Sequence, residues 1–188
     1  MRVLMLGNSY TFYHDMPNML ADVLSCEVIA YTRGGARLSE QLNSNTQMGA
    51  KTQRALREEK WDYVVLQEMS NGPITAKESF FNSVSALCEQ IKQNGAVPVL
   101  YATWAYEKNS EQMATMNCDY DQMYQMLYDV YHEAANKNHA LVADVGKVFY
   151  ELADTTELYM SDGSHPTKYG SQIAAETIAK VILEHSKR

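Results

Sequence analysis

The sequence predicts an α/β fold, because short apolar runs alternate with longer segments whose apolar residues recur at helical spacing. Each short run is rich in Val, Ile, Leu or Tyr and is bounded by polar or turn residues, as buried strands are. Alternating strands and helices indicate βαβ units and a mainly parallel sheet covered on both faces. The predicted strands are residues 3–6, 27–31, 63–66, 97–102 and 140–145.

The helical segments have apolar residues at i, i+3, i+4 and i+7. Because crossovers between parallel strands are right-handed, few topologies remain. For five strands we expect a flavodoxin-like, three-layer α/β/α sandwich with strand order 2-1-3-4-5. Without repeats or linkers, residues 1–188 form one predicted domain. The predicted helices cover residues 16–23, 80–91, 116–134 and 174–182, with a more polar candidate at 47–60.

Composition and charge exclude several classes of protein. Hydrophobic residues make up 46% of the 188 residues and charged residues 21%, which is ordinary for a soluble globular protein. The net charge of −7 argues against nucleic-acid and anionic-membrane partners. No apolar run approaches ~18 residues, and residues 1–7 are too short for a secretory signal. We therefore expect a cytoplasmic protein, although the sequence leaves open that a signal peptide has been removed.

The cysteines and histidines do not form a metal-binding pattern. The chain has an odd number of cysteines without C-x-x-C spacing: Cys26, Cys88 and Cys118. We therefore expect reduced thiols packed as small hydrophobic side chains. We expect no metal and no cofactor. Four histidines are assigned to surface or helix-face positions: His14, His132, His139 and His185.

Two polar motifs follow predicted strands, where open α/β sheets bind ligands. Ser9 follows Gly7 at the end of the first strand, and Asp162 precedes His165 and Pro166 after the fifth. Pro166 suits the first turn of the last helix. A carboxylate three residues before a histidine can orient its ring, so the three side chains form a candidate nucleophile, base and orienter. Alternatively, Ser9 is a turn or cap residue and Asp162 a helix cap.

Other strand ends supply candidate oxyanion donors and substrate contacts. A bare backbone N–H at Gly34 or Gly35 could approach a tetrahedral oxygen, and Gln67 or Asn71 offers a side-chain amide. Trp104 and Tyr106 either line a substrate shelf or close the edge of the core. Of the 13 tyrosines, we assign three to packing (Tyr120, Tyr124 and Tyr131) and three to substrate contact (Tyr10, Tyr13 and Tyr106).

Taken in order, these motifs resemble the SGNH (GDSL-like) hydrolase superfamily. Residues 7–9 look like block I, Gly35 like the block II glycine, and residues 162–166 like block V. Block III departs from the usual Gly-x-Asn-Asp, since Gln67 closes the third strand. We therefore favour Gln67 over Asn71 as the side-chain donor.

The resemblance implies ester hydrolysis through an acyl-enzyme, with no metal or cofactor. Ser9 would be the nucleophile, His165 the general base and then acid, and Asp162 its orienter. The N–H groups of Ser9 and Gly35 would hold the oxyanion beside Gln67. The substrate would be a small-molecule or glycan acyl ester, including short acyl groups on carbohydrates, or a lipid ester or thioester. Two alternatives stay open: a phospho-ligand module using residues 7–11, and a pseudo-enzyme with the same fold.

Overall fold

A computed structural model of the protein describes residues 1–187 and contains a five-stranded, entirely parallel sheet. The strand order β2-β1-β3-β4-β5 confirms the predicted 2-1-3-4-5 topology. β1 therefore lies inside the sheet, and its carboxyl end opens between those of β2 and β3. The strands are β1 Arg2–Gly7, β2 Glu27–Thr32, β3 Tyr63–Leu66, β4 Val97–Tyr101 and β5 Leu141–Ala143.

Ten α-helical segments within residues 1–187 connect or follow these strands, and a 3₁₀ turn, Tyr13–Asp15, separates the first two. The helices are α1 Ser9–Phe12, α2 Met16–Leu24, α3 Leu38–Leu42, α4 Gln47–Glu58, α5 Gly72–Thr75, α6 Lys77–Asn94, α7 Glu111–Ala114, α8 Tyr120–Asn138, α9 Val145–Leu152 and α10 Lys168–Ser186.

The sheet separates two apolar cores, because successive side chains of a strand point to opposite faces. Leu4 and Leu6 of β1 face the helices α3, α4, α6 and α8. Val3 and Met5 of the same strand face α2, α9 and α10. Burial on both faces explains why the strands are nearly continuous apolar runs rather than alternating ones.

Several predicted boundaries differ from the structure. β5 ends at Ala143 and α9 begins at Val145, a helix that the sequence analysis did not predict. α8 begins at Tyr120 rather than at 116, because Asp119 forms a capping box with Gln122. Pro166 lies outside the first turn of α10, which begins at Lys168 after the N-cap Thr167.

No helix within residues 1–187 is long and apolar enough to cross a membrane. The same residues contain no cluster of three or more His, Cys, Asp or Glu side chains that could hold a metal ion. All three cysteines are free, with Cys88 buried and the other two partly exposed.

Candidate active site

Ser9 lies at the start of a short helix at the carboxyl edge of the sheet. β1 ends at Gly7, and Asn8 caps α1 by accepting a hydrogen bond from the N–H of Tyr10 at 3.1 Å. Ser9 is the first residue of α1, so its own N–H has no intrahelical acceptor. The turn therefore presents both a hydroxyl and a backbone donor at the carboxyl edge of the sheet.

Close packing explains why residue 7 is a glycine. A Cβ placed there would lie 2.4 Å from Oγ1 of Thr11 and 2.6 Å from Oε1 of Gln67, well inside van der Waals contact. The backbone of Gly7 is extended, so conformational freedom is not the reason. The glycine lets the turn of Ser9 approach β3.

The loop that carries His165 is shaped by Asp162. Oδ1 of Asp162 accepts the N–H groups of Ser164 at 3.0 Å and of His165 at 2.9 Å, which closes a tight turn. Gly163 has φ +66°, and a Cβ there would lie 2.3 Å from Cβ of Ser110. Both the backbone conformation and the space at this position require glycine.

The structure brings the three predicted catalytic side chains together. Nε2 of His165 lies 2.8 Å from Oγ of Ser9, and its Nδ1 lies 2.5 Å from Oδ2 of Asp162. The His165 side chain is 25% exposed and that of Asp162 44% exposed, so solvent reaches this group. We call Ser9, His165 and Asp162 the exposed trio.

Electrostatics favour an ionised Asp162. Burial acts to raise the pKa of its carboxyl, but hydrogen bonds from the His165 ring and from the N–H groups of His165 and Ser164 outweigh burial and lower that pKa. A carboxylate that accepts from Nδ1 fixes the tautomer in which Nε2 is the acceptor. In that tautomer, His165 can take the proton of Ser9.

Trp104 supports the His165 loop from inside the protein. It is fully buried, and its Nε1–H donates to the carbonyl of Ser164 at 3.0 Å. Its ring stacks between Tyr10, at 4.5 Å between centroids, and Phe149, at 4.1 Å. The burial of the indole favours the second of the two predicted roles, in which Trp104 closes the edge of the core.

Tyr10 is also buried, with 3% of its surface exposed, and its hydroxyl lies 2.6 Å from Oγ of Ser164. Desolvation raises its pKa well above the usual value, so the phenol stays neutral. Tyr106 is 5% exposed, with its hydroxyl 2.8 Å from Oγ of Ser70. The burial of both rings favours packing and hydrogen bonding over the predicted substrate contact.

Gln67 lies behind the exposed trio rather than in it. Only 1% of its surface is exposed, and its Oε1 accepts the N–H of Asn8 and the hydroxyl of Thr11, each at 2.9 Å. Its Nε2 donates to the carbonyl of Glu68. The oxyanion role of Gln67 stays a prediction, and in this structure its amide supports the turn of Ser9 from inside the protein.

Glu68 completes a polar group that the sequence analysis missed. It is 3% exposed, and its carboxylate accepts the N–H groups of Met69 at 2.7 Å and Leu38 at 3.2 Å. Burial raises the pKa of this carboxyl, while those two bonds and Arg37 oppose the shift. With Asn8, Thr11 and Gln67 it forms what we call the buried quartet. A charged residue two positions after a buried strand was the signal for it in the sequence.

Two other predicted donors are placed differently. Gly35 is exposed in a turn closed by the N–H of Ala36 on the carbonyl of Arg33, at 3.0 Å, and its φ of +67° suits glycine. The side chain of Asn8 donates to the carbonyl of Ala36 at 3.0 Å, which joins this turn to the residue before Ser9. Nδ2 of Asn71 lies 3.8 Å from Sδ of Met116, and within residues 1–187 Asn71 forms no hydrogen bond with the exposed trio.

A cleft of about 660 Å³ lies along the segment after β4. Its lining mixes charged and amide side chains, such as Lys108, Asn109 and Asp119, with apolar ones, such as Met113 and Met116. Ser110, another lining residue, packs against Gly163 of the His165 loop. The cleft therefore adjoins the loop that bears His165.

The sequence matches the family described as Domain of unknown function (DUF4886) over residues 39–163. A protein from Slackia heliotrinireducens, provisionally assigned to the SGNH hydrolases, is 45% identical, with a TM-score of 0.93 over 97% of this chain and 98% of that one. A search of the curated proteins found no match.

Two more distant structures share the fold. A DUF4886 family protein from Bacteroides uniformis is 21% identical, with a TM-score of 0.71 over 98% of this chain and 83% of that one. An acetyl xylan esterase, AlAXEase, is 14% identical, with a TM-score of 0.70 over 97% of this chain and 100% of that one. The motifs, the strand order and these similarities lead to one assignment: the chain belongs to the DUF4886 family and to the SGNH (GDSL-like) hydrolase superfamily.

Proposed function

We propose that this protein is a serine esterase that hydrolyses short acyl esters through a covalent acyl-enzyme. The single observation that carries the proposal is the hydrogen-bonded chain from Ser9 through His165 to Asp162. A nucleophile, a base and an orienting carboxylate in one chain at a strand end are the elements of acyl transfer. The likeness to an SGNH hydrolase supports it at the level of hydrolysis.

In the proposed reaction, Oγ of Ser9 attacks the ester carbonyl while Nε2 of His165 takes its proton. The tetrahedral oxygen is held by the N–H groups of Ser9 and Gly35, and collapse expels the alcohol, which receives the proton from His165. Water then attacks the acyl-enzyme with His165 again as base, releasing the acid and restoring Ser9. Asp162 stays ionised and stabilises the imidazolium in both halves.

The surroundings of the exposed trio favour a small acyl group and a polar alcohol. Trp104 and Tyr10 fill the space behind the trio instead of lining an acyl tunnel. The neighbouring cleft offers charged and amide groups beside apolar side chains, and the polar groups suit hydroxyl-rich alcohols. We therefore extend the proposal to acyl groups on carbohydrates, the class named for one fold neighbour.

The test compares p-nitrophenyl acetate hydrolysis by the wild type, Ser9→Ala and Ser186→Ala, a control at an exposed serine near the end of α10. We expect Ser9→Ala to reduce kcat/KM by at least ~10³-fold while Ser186→Ala stays near wild type. Equal activity in Ser9→Ala and wild type would refute Ser9 as nucleophile.

Covalent labelling separates an esterase from a pseudo-enzyme. A fluorophosphonate should label the wild type and Ser186→Ala but not Ser9→Ala, because only an activated serine reacts. An unlabelled wild type would favour the non-catalytic alternatives. Rates across esters of increasing acyl length then test the short-acyl proposal, which requires the acetate to be preferred.

A further inference from the structure

Tyr13 covers one face of the His165 imidazole. The two rings stack with centroids 4.3 Å apart and planes 28° from parallel, and Tyr13 is only half-buried. Tyr10 meets His165 edge-on at 5.6 Å, with planes 83° apart. The base is therefore bounded by aromatic rings as well as by its two hydrogen-bond partners.

The backbone after Tyr13 has an unusual conformation. His14 and Asp15 both have positive φ, 53° and 60°, which non-glycine residues rarely adopt, and here two occur in succession. Nε2–H of His14 donates to the carbonyl of Pro166, 3.1 Å away and one residue beyond His165. The loop of Tyr13 is thus tied to the loop of His165, and such strain persists only where the surroundings enforce it.

The hydrogen bonds of His165 do not hold its ring throughout the proposed reaction. In the acyl-enzyme, Oγ of Ser9 is part of an ester and no longer has a proton to share with Nε2. Asp162 then holds the ring through one hydrogen bond, at Nδ1. This single bond restricts rotation about the side-chain bonds of His165 less than two bonds do. A ring stacked on its face keeps Nε2 directed at the incoming water, for which position matters most.

We propose that Tyr13 is a positioning residue for His165, acting through its ring and mainly in deacylation. The inference rests on the proposed esterase function. The ring, rather than the phenol hydroxyl, makes the stack, so phenylalanine should replace tyrosine without loss. The tie from His14 to Pro166 sets where that ring lies.

The experiment uses Tyr13→Leu, Tyr13→Phe and a control, Tyr128→Leu. Tyr128 contacts His132 at 4.1 Å between centroids on α8, so the control removes a similar Tyr–His contact in the other helical layer. We expect Tyr13→Leu to lower kcat for p-nitrophenyl acetate about 10-fold, with kcat/KM changed less than about 3-fold and a larger initial burst of nitrophenol. Tyr13→Phe and Tyr128→Leu should match the wild type.

A second measurement is independent of turnover. In the Ser9→Ala background, where Nε2 lacks its hydroxyl partner as it does in the acyl-enzyme, the Nδ1–H proton of His165 should give a low-field NMR signal while it is held on Asp162. Adding Tyr13→Leu should broaden this signal by faster exchange, and adding Tyr13→Phe should not. Wild-type kcat and an unchanged signal in Tyr13→Leu would overturn the inference. A loss of kcat that comes with the same fold-loss of kcat/KM and with a lower melting temperature would also overturn it, because that pattern indicates a merely structural role. An inactive wild type would refute the proposed function, and the NMR comparison would still decide the role of Tyr13.

Discussion

The exposed trio and the buried quartet occupy the same carboxyl edge of the sheet but are built in opposite ways. Each member of the quartet is at most 3% exposed, and Gln67 and Glu68 are held by hydrogen bonds to backbone and hydroxyl groups. His165 and Asp162 keep a quarter or more of their side chains in solvent. The quartet fixes backbone positions, while the trio keeps a hydroxyl available to substrate.

Polar residues after parallel strands therefore divide between buried support and groups that stay in contact with solvent. Buried polar groups must be satisfied, so the quartet cannot give up a donor without destabilising the fold. The trio can change protonation state because water reaches it. Variants in the two groups should therefore separate activity from stability.

The largest expected effect is on catalysis. His165→Ala should lower kcat/KM for p-nitrophenyl acetate at least ~10³-fold because it removes the proposed base, while the free energy of unfolding loses only the partly exposed pair with Asp162. The matched control is His132→Ala, which breaks a similar His–Asp pair, 2.7 Å to Asp144, outside the site. Comparable activity in the two variants would contradict the role of His165.

The next effect concerns the quartet. Gln67→Met keeps the volume but leaves the N–H of Asn8 and the hydroxyl of Thr11 without their acceptor, so the free energy of unfolding should fall by about 1–3 kcal/mol. Denaturant unfolding measures this. Gln172→Met, at an exposed position of α10, should change stability by less than ~0.5 kcal/mol. An unchanged stability of Gln67→Met would show that the quartet is not the support described above.

A smaller effect concerns Trp104, which supports the His165 loop from inside the protein. Trp104→Phe removes the hydrogen bond to the carbonyl of Ser164 and should cost about 1–2 kcal/mol of stability, with a loss of activity because Ser164 precedes His165. Trp61→Phe removes an equivalent bond, 3.2 Å to the carbonyl of Ala55, in the opposite core. It should lower stability similarly and leave kcat unchanged. Equal kcat values in Trp104→Phe and Trp61→Phe would contradict the proposed link between Trp104 and activity.

The smallest effect is on pH dependence. The pKa of Asp162 is lower in the folded protein, so its carboxylate adds stability above the ordinary value of 3.8, and this contribution is lost as the pH falls through the lowered pKa. Asp162→Asn should lack it. The difference in unfolding free energy between wild type and Asp162→Asn should therefore shrink from pH ~7 to pH ~3. A difference independent of pH would argue against a lowered pKa.

The sequence predicted the strands well because each buried strand is a short apolar run between turn residues. It missed α9, whose first residues continue the apolar run of β5, so that periodicity could not separate helix from strand. It placed Pro166 inside α10 because proline suits a first helical turn, whereas the hydroxyl cap at Thr167 sets the start.

By itself, the sequence determined the α/β class, the strand order and the candidates Ser9, Asp162 and His165, since patterning and motif spacing are local properties. Only the tertiary structure decided which polar and aromatic side chains face solvent. Gln67, Tyr10 and Trp104 are chemically able to contact a substrate, but the packing of β3, α9 and the His165 loop buries them. Tyr13, six residues after the end of β1, is only half-buried and stacks on His165 beside two residues of positive φ. Burial depends on contacts between residues far apart in the chain, which no local pattern records.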